Sequence, residues 1–141
     1  AYMWAERGEK LDEGLQYINK AISLDPDNGA YVDTLGWIYY KQKKFDLALD
    51  QIKKASELAR NDPTIIEHLG DIYFALNDKA KALMMWKQSF LIDRSGKTVA
   101  VKLEQNGLSP KQIIRELEDR LKANDKGSSK QPGWHEQEKR R

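Results

Sequence analysis

The 141-residue sequence predicts an all-α protein built from similar pairs of helices stacked in one direction. One observation behind this prediction is an internal repeat, because a shift of 34 residues places Leu35-Gly36 on Leu69-Gly70. The other is that apolar residues recur at spacings of three and four, as on one face of an α-helix. A helix pair of this kind cannot bury its apolar face alone and must pack on its neighbours. We therefore expect function on the surface of the array rather than in an enclosed pocket.

The apolar pattern and the chain breakers between apolar stretches predict the helices in order. They occupy residues 1–7, 11–24, 29–42, 45–59, 63–76 and 79–92, followed by 97–106 and 109–124. The links between pairs carry turn residues, and Pro63 suits the first position of a helix. The links within pairs are only two or three residues long, which predicts antiparallel neighbours.

The repeat divides the chain into units of different completeness. Residues 1–28 form a truncated unit, residues 29–62 and 63–96 form two further units, residues 97–124 form a divergent helical cap, and residues 125–141 form a tail. Tyr2 falls at the repeat position of Gly36 and Gly70, so we expect the sequence to begin inside a repeat and to be a piece of a longer protein.

The predicted last helix begins with a capping-box arrangement, Ser109 followed by Pro110 and, three residues on, Gln112. Its apolar side is expected to cover the end of the array, since the final unit otherwise exposes its own apolar stripe. From residue 125 the composition turns to Lys, Gly, Ser, Gln and Pro, which predicts a disordered tail.

Charge and composition exclude several classes of function. Residues 1–124 hold 19 basic and 19 acidic residues, so the small net positive charge of the chain lies in the tail. A neutral body lacks the clustered cations that nucleic-acid binding requires, and we expect no nucleic-acid partner. No apolar run approaches the roughly 18 residues of a membrane span. The absence of cysteine fits a reducing or an oxidising compartment, so the location stays open.

The repeated residues themselves resemble a known family. The chain carries one pattern twice, as Val32-x-x-Leu35-Gly36-x-x-Tyr39 with Ala48 and Ile52, and as Ile66-x-x-Leu69-Gly70-x-x-Tyr73 with Ala82 and Trp86. Over 34 residues this pattern resembles the tetratricopeptide repeat family, across about residues 1–94. The segments at residues 33–37 and 68–71 look like bacterial multi-repeat members. In the first unit, Gly14 stands where the other units have alanine.

The resemblance implies a right-handed superhelix whose first helix in each pair lines a concave groove. In such proteins the groove takes a peptide or helix from a partner protein. Transferring the groove positions to this sequence gives a set of candidate partner-binding residues: Met3, Glu6, Arg7, Asp33, Trp37, Tyr40, Lys41, Glu67, His68, Asp71, Phe74 and Ala75. Apart from His68, all lie off the predicted packing stripe and are expected to be exposed.

Two interpretations of the groove stay open. Trp37, Tyr40 and Phe74 either contact a partner or fill the space between successive helices. Three of the candidates, Asp33, Glu67 and Asp71, carry carboxylates. They either favour a partner segment that contains Lys or Arg and an apolar anchor, or form a solvated acidic edge. Because acids and Trp37 stand where chaperone-binding members of the family have Lys and Asn, a terminal carboxylate is not expected as the ligand.

The sequence predicts no cofactor, no metal and no catalysis. His68 beside Glu67 and Asp71 offers one imidazole with scattered acids, a poor ligand set. Gly96-Lys97-Thr98 lacks the rest of a phosphate-binding loop, and no nucleophile–base pair can be assembled. We therefore expect an interaction scaffold that binds a partner protein in the groove. The alternatives are a spacer or self-association module, or a regulatory array of a larger enzyme.

Overall fold

The computed structural model describes the backbone of residues 2–129 and the side chains of residues 10–125. Within these limits the chain is all-α, as predicted, and forms seven helices. The helices are α1 (Tyr2–Leu24), α2 (Gly29–Lys41), α3 (Phe45–Leu58), α4 (Pro63–Ala75), α5 (Lys79–Ile92), α6 (Lys97–Gln105) and α7 (Pro110–Ser129).

Successive helices pair as the repeat predicts. We call α2, α4 and α6 the A helices, and α1, α3, α5 and α7 the B helices. α2 packs on α3 and α4 on α5, while α1, α3 and α5 also contact the A helix that follows each of them. The two core clusters lie between these layers, one centred on Ile52 and Ile72 and the other on Trp86 and Leu103.

The A and B helices of one unit approach closely at the repeated glycines. A Cβ atom on Gly36 would lie 2.5 Å from the Cδ1 atom of Ile52, and one on Gly70 would lie 2.5 Å from the indole of Trp86. Since real Cβ atoms do not approach other atoms this closely, only glycine fits here unless a neighbour moves. Both repeated glycines therefore lie at close interhelix contacts.

Turn chemistry sets the ends of the helices. Lys43 and Asn77, in the links within pairs, have positive φ angles of 62° and 65°. Asparagine tolerates this left-handed conformation better than most residues. Between pairs, the Asp62 side chain accepts hydrogen bonds from the first turn of α4, which begins at Pro63 as predicted.

The first helix differs from the prediction. Instead of two helices over residues 1–7 and 11–24, the chain forms one continuous helix, α1. Tyr2 falls at the repeat position where Gly36 and Gly70 leave no room for a side chain. A helix over residues 1–7 therefore cannot pack on α1 as α2 packs on α3. A helix that short is unstable without packing, and these residues extend α1 instead.

The C-terminal end follows the prediction in part. The Ser109 hydroxyl accepts a hydrogen bond from the backbone N–H of Gln112 at 3.3 Å, which is one half of the predicted capping box. The Gln112 side chain turns to Glu116 instead of completing the box. Ile113 is buried against α5 and α6 in the second core cluster. The helix continues to Ser129, five residues into the predicted tail, because no proline stops it before residue 132. Residues 130–141 lie outside the described part.

Candidate protein-binding face

The A helices lie side by side and are joined by two similar polar contacts. On α2, Asp33 lies 2.9 Å from the Nδ1 atom of His68 on α4. On α4, Glu67 accepts a hydrogen bond of 2.6 Å from the Nζ atom of Lys102 on α6. Each contact joins residues 35 apart in the sequence, one position more than the repeat. We call the surface of α2, α4 and α6 that carries these contacts the inner face.

An aromatic cluster forms the α2 side of the inner face. The rings of Trp37 and Tyr40 stack with centroids 4.6 Å apart and an interplanar angle of 10°. His68 stacks on Trp37 at 4.0 Å, and the Nζ atom of Lys41 lies 5.1 Å from the Trp37 ring centroid. Because Asp33 holds His68, the order of the stack is fixed by a hydrogen bond as well as by ring contact. The cluster is a rigid, partly buried aromatic surface.

A charge cluster forms the α4 and α6 side of the inner face. The Nζ atom of Lys102 lies between two carboxylates, 2.6 Å from Glu67 and 2.9 and 3.0 Å from the two oxygens of Asp71. The Thr98 hydroxyl also donates to Glu67, at 2.9 Å. Burial lowers the pKa of Lys102, but its hydrogen bonds and attraction to the two acids outweigh burial, so the pKa lies above its ordinary value. Lys102 therefore carries its positive charge throughout the physiological range.

Asp71 is buried between a core residue, Trp86, and a residue of the charge cluster, Lys102, and binds both. The indole N–H of Trp86, in the second core cluster, donates a 3.1 Å hydrogen bond to Asp71. A buried indole N–H needs such an acceptor. Burial raises the pKa of the Asp71 carboxyl, while the bonds from Lys102 and Trp86 partly oppose the rise. Asp71 also raises the pKa of Tyr40, after the larger effect of burial, so the two clusters influence each other electrostatically.

The structure brings eight of the predicted site residues onto one face. Not all of their side chains have the predicted exposure to solvent. Asp33, Trp37, Tyr40, Lys41 and His68 form the aromatic cluster, and Glu67 and Asp71 belong to the charge cluster. Phe74 is 45% exposed, with its ring centroid 5.4 Å from that of Trp86.

The expectation that all these side chains are exposed is confirmed only for Lys41 and Phe74. It is wrong for the partly buried residues, which are Asp33, Trp37, Tyr40, Glu67 and Ala75. It is also wrong for Asp71, which is only 7% exposed because it binds Trp86 and Lys102. Sequence reasoning also missed Lys102 and Thr98. The spacing of 35 residues between an acid and a nitrogen-bearing side chain, found for both Asp33–His68 and Glu67–Lys102, is the signal that would have identified Lys102. Met3, Glu6 and Arg7 lie outside the described side chains.

Two further properties bear on the kind of site. Among residues 10–125, no group of three or more histidine or acidic side chains is placed to hold a metal ion. Of the helices described, none is both long and apolar enough to cross a membrane.

Comparisons with known proteins agree with this architecture. The family model for the tetratricopeptide repeat matches residues 6–28 and 32–62. No curated protein matches the chain significantly. Among solved structures, the first TPR of Spaghetti (RPAP3), bound to the HSP90 peptide SRMEEVD, aligns with a TM-score of 0.65 at 21% identity, covering 82% of this chain and 86% of that chain.

Two other solved structures are similar. The Arabidopsis OM64 TPR domain gives a TM-score of 0.66 at 17% identity. The N-terminal domain of stress-induced protein-1 (STI-1) from C. elegans gives 0.59 at 21% identity. Both alignments cover 72% of this chain and 84% of the other. The likeness to bacterial members stays a prediction. The repeat pattern, the paired helices and the family model matched over residues 6–28 and 32–62 together show that this part of the chain consists of tetratricopeptide repeats.

Proposed function

We propose that the protein is an interaction module that binds a segment of a partner protein on its inner face. The observation that supports this proposal most is the aromatic cluster of Trp37, Tyr40 and His68. Its rings are stacked and held in place on the surface of the A helices, so they lose little freedom when a partner binds. Phe74, which is 45% exposed, adds an apolar contact on the neighbouring A helix.

The charges of the inner face refine the kind of partner. Asp33 is paired with His68, and the single ammonium group of Lys102 binds both Glu67 and Asp71. A basic residue of a partner would have to compete with Lys102 for these acids. We therefore propose that apolar and aromatic side chains of the partner segment supply most of the affinity, and that any basic residue adds specificity.

An acidic peptide such as the HSP90 peptide SRMEEVD bound by the first TPR of Spaghetti is not part of the proposal. Three carboxylates lie on the inner face, and Lys102 is already engaged by two of them. An incoming carboxylate would meet like charges, which disfavours the contact.

Site-specific crosslinking tests the proposal. A photoreactive amino acid is placed at Phe74 on the inner face and, as a matched control, at Met84 on the B helix α5, which is 61% exposed. Both proteins are irradiated in a lysate of the source organism. We expect the probe at position 74 to crosslink a protein that the probe at position 84 does not.

A pair of charge variants provides the second part of the test. Phe74→Asp should weaken capture of the crosslinked protein about tenfold or more, whereas Met84→Asp should leave it unchanged. Thermal unfolding of both variants shows whether they remain folded. Equal capture by both variants would exclude the inner face as the binding site.

A further inference from the structure

The helix α4 carries an apolar group and an acidic group along one side of the inner face. Glu67, Asp71 and Phe74 follow one another at spacings of four and three residues, which places them on the same side of the helix. The Phe74 ring at one end is 45% exposed. At the other end, about 10 Å away along the helix axis, two carboxylates share the single ammonium group of Lys102. The charge cluster therefore keeps an excess negative charge.

Phe74 is also the ring of the inner face that is best placed to receive another aromatic ring. Trp37 stacks with Tyr40 at 4.6 Å and with His68 at 4.0 Å, at interplanar angles of 10° and 21°. Two nearly parallel rings at these distances would overlap if they lay on one face of the indole, so they cover its opposite faces. An incoming ring cannot stack on Trp37 and has Phe74 to contact instead.

The sequence that follows α7 holds the complementary groups. Residues 130–141 contain one tryptophan, Trp134, and a run of three basic residues at positions 139–141. Four basic residues against two glutamates give this segment a net charge of +2 with histidine neutral. It thus combines a large apolar ring and a basic group, which are the two features that the proposed function assigns to a partner segment.

We propose that residues 130–141 of one molecule bind the inner face of a second copy of the chain, with Trp134 against Phe74 and residues 139–141 toward the charge cluster. This inference rests on the proposed function and names the occupant of its site. Five to seven residues separate Trp134 from the basic run, and an extended chain of that length easily covers about 10 Å. Since Lys102 already binds both carboxylates, Trp134 supplies most of the affinity and the basic run adds a weaker electrostatic attraction.

The course of α7 indicates that the segment comes from another molecule. Ile113 is buried, but every residue from 118 to 125 is exposed. These eight consecutive residues cover all sides of an α-helix, so no side of this stretch rests on the other described helices. α7 therefore leaves the body of the protein after about Leu117 and continues to Ser129.

Distances along the chain then exclude contact within one molecule. From residue 118 to Ser129 the helix runs about 18 Å away from the body. Residues 130–134 span at most about 17 Å, so Trp134 returns no further than the point where α7 leaves the body. That point lies on a B helix, whereas the inner face is formed by the A helices. Contact between two different surfaces of the same chain joins molecules head to tail.

Fluorescence anisotropy with a labelled peptide of residues 130–141 tests the contact. The receptor is the full chain with Trp134→Ala, which keeps the inner face and removes the competing anchor. We expect saturable binding with a Kd of about 10–100 μM, because ordering a short peptide offsets much of the contact energy. A peptide with Trp134→Ala should bind about tenfold less tightly. A peptide with glutamine at positions 139–141 should lose about threefold at low salt and nothing at 1 M salt.

Receptor variants locate the binding, and sedimentation identifies the source of the segment. Adding Phe74→Asp to the receptor should weaken peptide binding about tenfold, whereas Met84→Asp on α5 should leave it unchanged. Thermal unfolding shows whether both remain folded. In sedimentation, the unaltered chain should associate at concentrations above the peptide Kd, and the chain with Trp134→Ala should remain monomeric.

Several outcomes would overturn the inference. They are absence of saturable binding, equal binding of the native and Trp134→Ala peptides, and binding that Phe74→Asp does not weaken. An unaltered chain that stays monomeric at ten times the peptide Kd would also contradict it, since the segment would then not join two copies. If these tests fail while a probe at position 74 still crosslinks a different protein, this inference alone falls and the proposed function stands.

Discussion

The second and third units have the same arrangement of helices but place their aromatic side chains at different repeat positions. In residues 29–62, the aromatic Trp37 lies on the inner face and the aliphatic Ile52 lies in the core. In residues 63–96, the corresponding positions hold Asp71 on the inner face and Trp86 in the core. The second unit therefore has its indole on the inner face, whereas the third unit has its indole in the core and a carboxylate on the inner face.

The exchange shows how one core residue is coupled to the charge of the surface beside it. Ile52 has no polar atom, so the residue opposite it need not be an acceptor. Trp86 has a buried N–H, which Asp71 accepts at 3.1 Å. That bond keeps Asp71 buried, and a buried carboxylate requires a cation, which α6 supplies as Lys102. The aromatic surface and the charged surface of the inner face thus have a common origin in the choice of core residue.

Removing the cation should have the largest effect. Lys102→Met leaves Glu67 and Asp71 without a counter-charge, and we expect the free energy of unfolding to fall by about 2–3 kcal/mol. This is somewhat less than the roughly 3–5 kcal/mol of a fully buried pair, because the Lys102 side chain is 30% exposed. Chemical denaturation measures the change.

Acidification provides the control for this variant. Because burial raises the pKa of Asp71, the folded protein binds more protons than the unfolded chain between the ordinary and the raised value, and this contribution to stability is lost as pH rises through that window. Without Lys102 the window extends to higher pH. The loss of stability should therefore be smaller at pH 4 than at pH 7. An equal loss at both values would show that the carboxylates are not its cause.

Substitution of Gly70 by alanine should lower the free energy of unfolding more than the same substitution of Gly36. A Cβ on Gly70 meets the rigid indole of Trp86, whose N–H is held by Asp71, whereas a Cβ on Gly36 meets the Cδ1 and Cγ1 atoms of Ile52, a smaller aliphatic side chain that no hydrogen bond holds. After the gain of about 1 kcal/mol from helix propensity, we expect Gly70→Ala to cost about 2 kcal/mol and Gly36→Ala about 1 kcal/mol. Paired denaturation curves test the order, and an equal cost would contradict the proposed role of the indole.

The smallest effect should come from the polar contact on the aromatic side. Asp33→Asn retains a side-chain oxygen as an acceptor for His68 and leaves no carboxylate unpaired. The stacking of His68 on Trp37 is also retained. We expect a loss of less than about 0.5 kcal/mol. A loss comparable to that of Lys102→Met would show that the two polar contacts are energetically alike despite their different surroundings.

Much of the fold was predictable because the sequence repeats. Gly36 and Gly70 recur at one position, and the recurrence marks a close interhelix contact before any coordinates are known. The extent of α1 was not predictable from the repeat alone, because it depends on whether residues 1–7 find a surface on which to pack.

The candidate site was predictable only in part. A shift of 34 residues aligns equivalent positions, but neighbouring A helices touch through positions that are not equivalent, such as Glu67 and Lys102. Likewise, the burial of Asp71 depends on Trp86, fifteen residues away on another helix. Contacts between unlike positions require the three-dimensional arrangement of the helices, which periodicity does not supply.

Solenoids are often regarded as modular, with units that can be added or removed at will. The hydrogen bonds of Lys102 limit that freedom in this chain. A shortened protein ending at residue 96 would contain all of α4 and α5, yet it would lack the ammonium group that balances two acids on α4. Such a truncation would carry an electrostatic defect inside its last hairpin, so α6 belongs chemically to the hairpin before it.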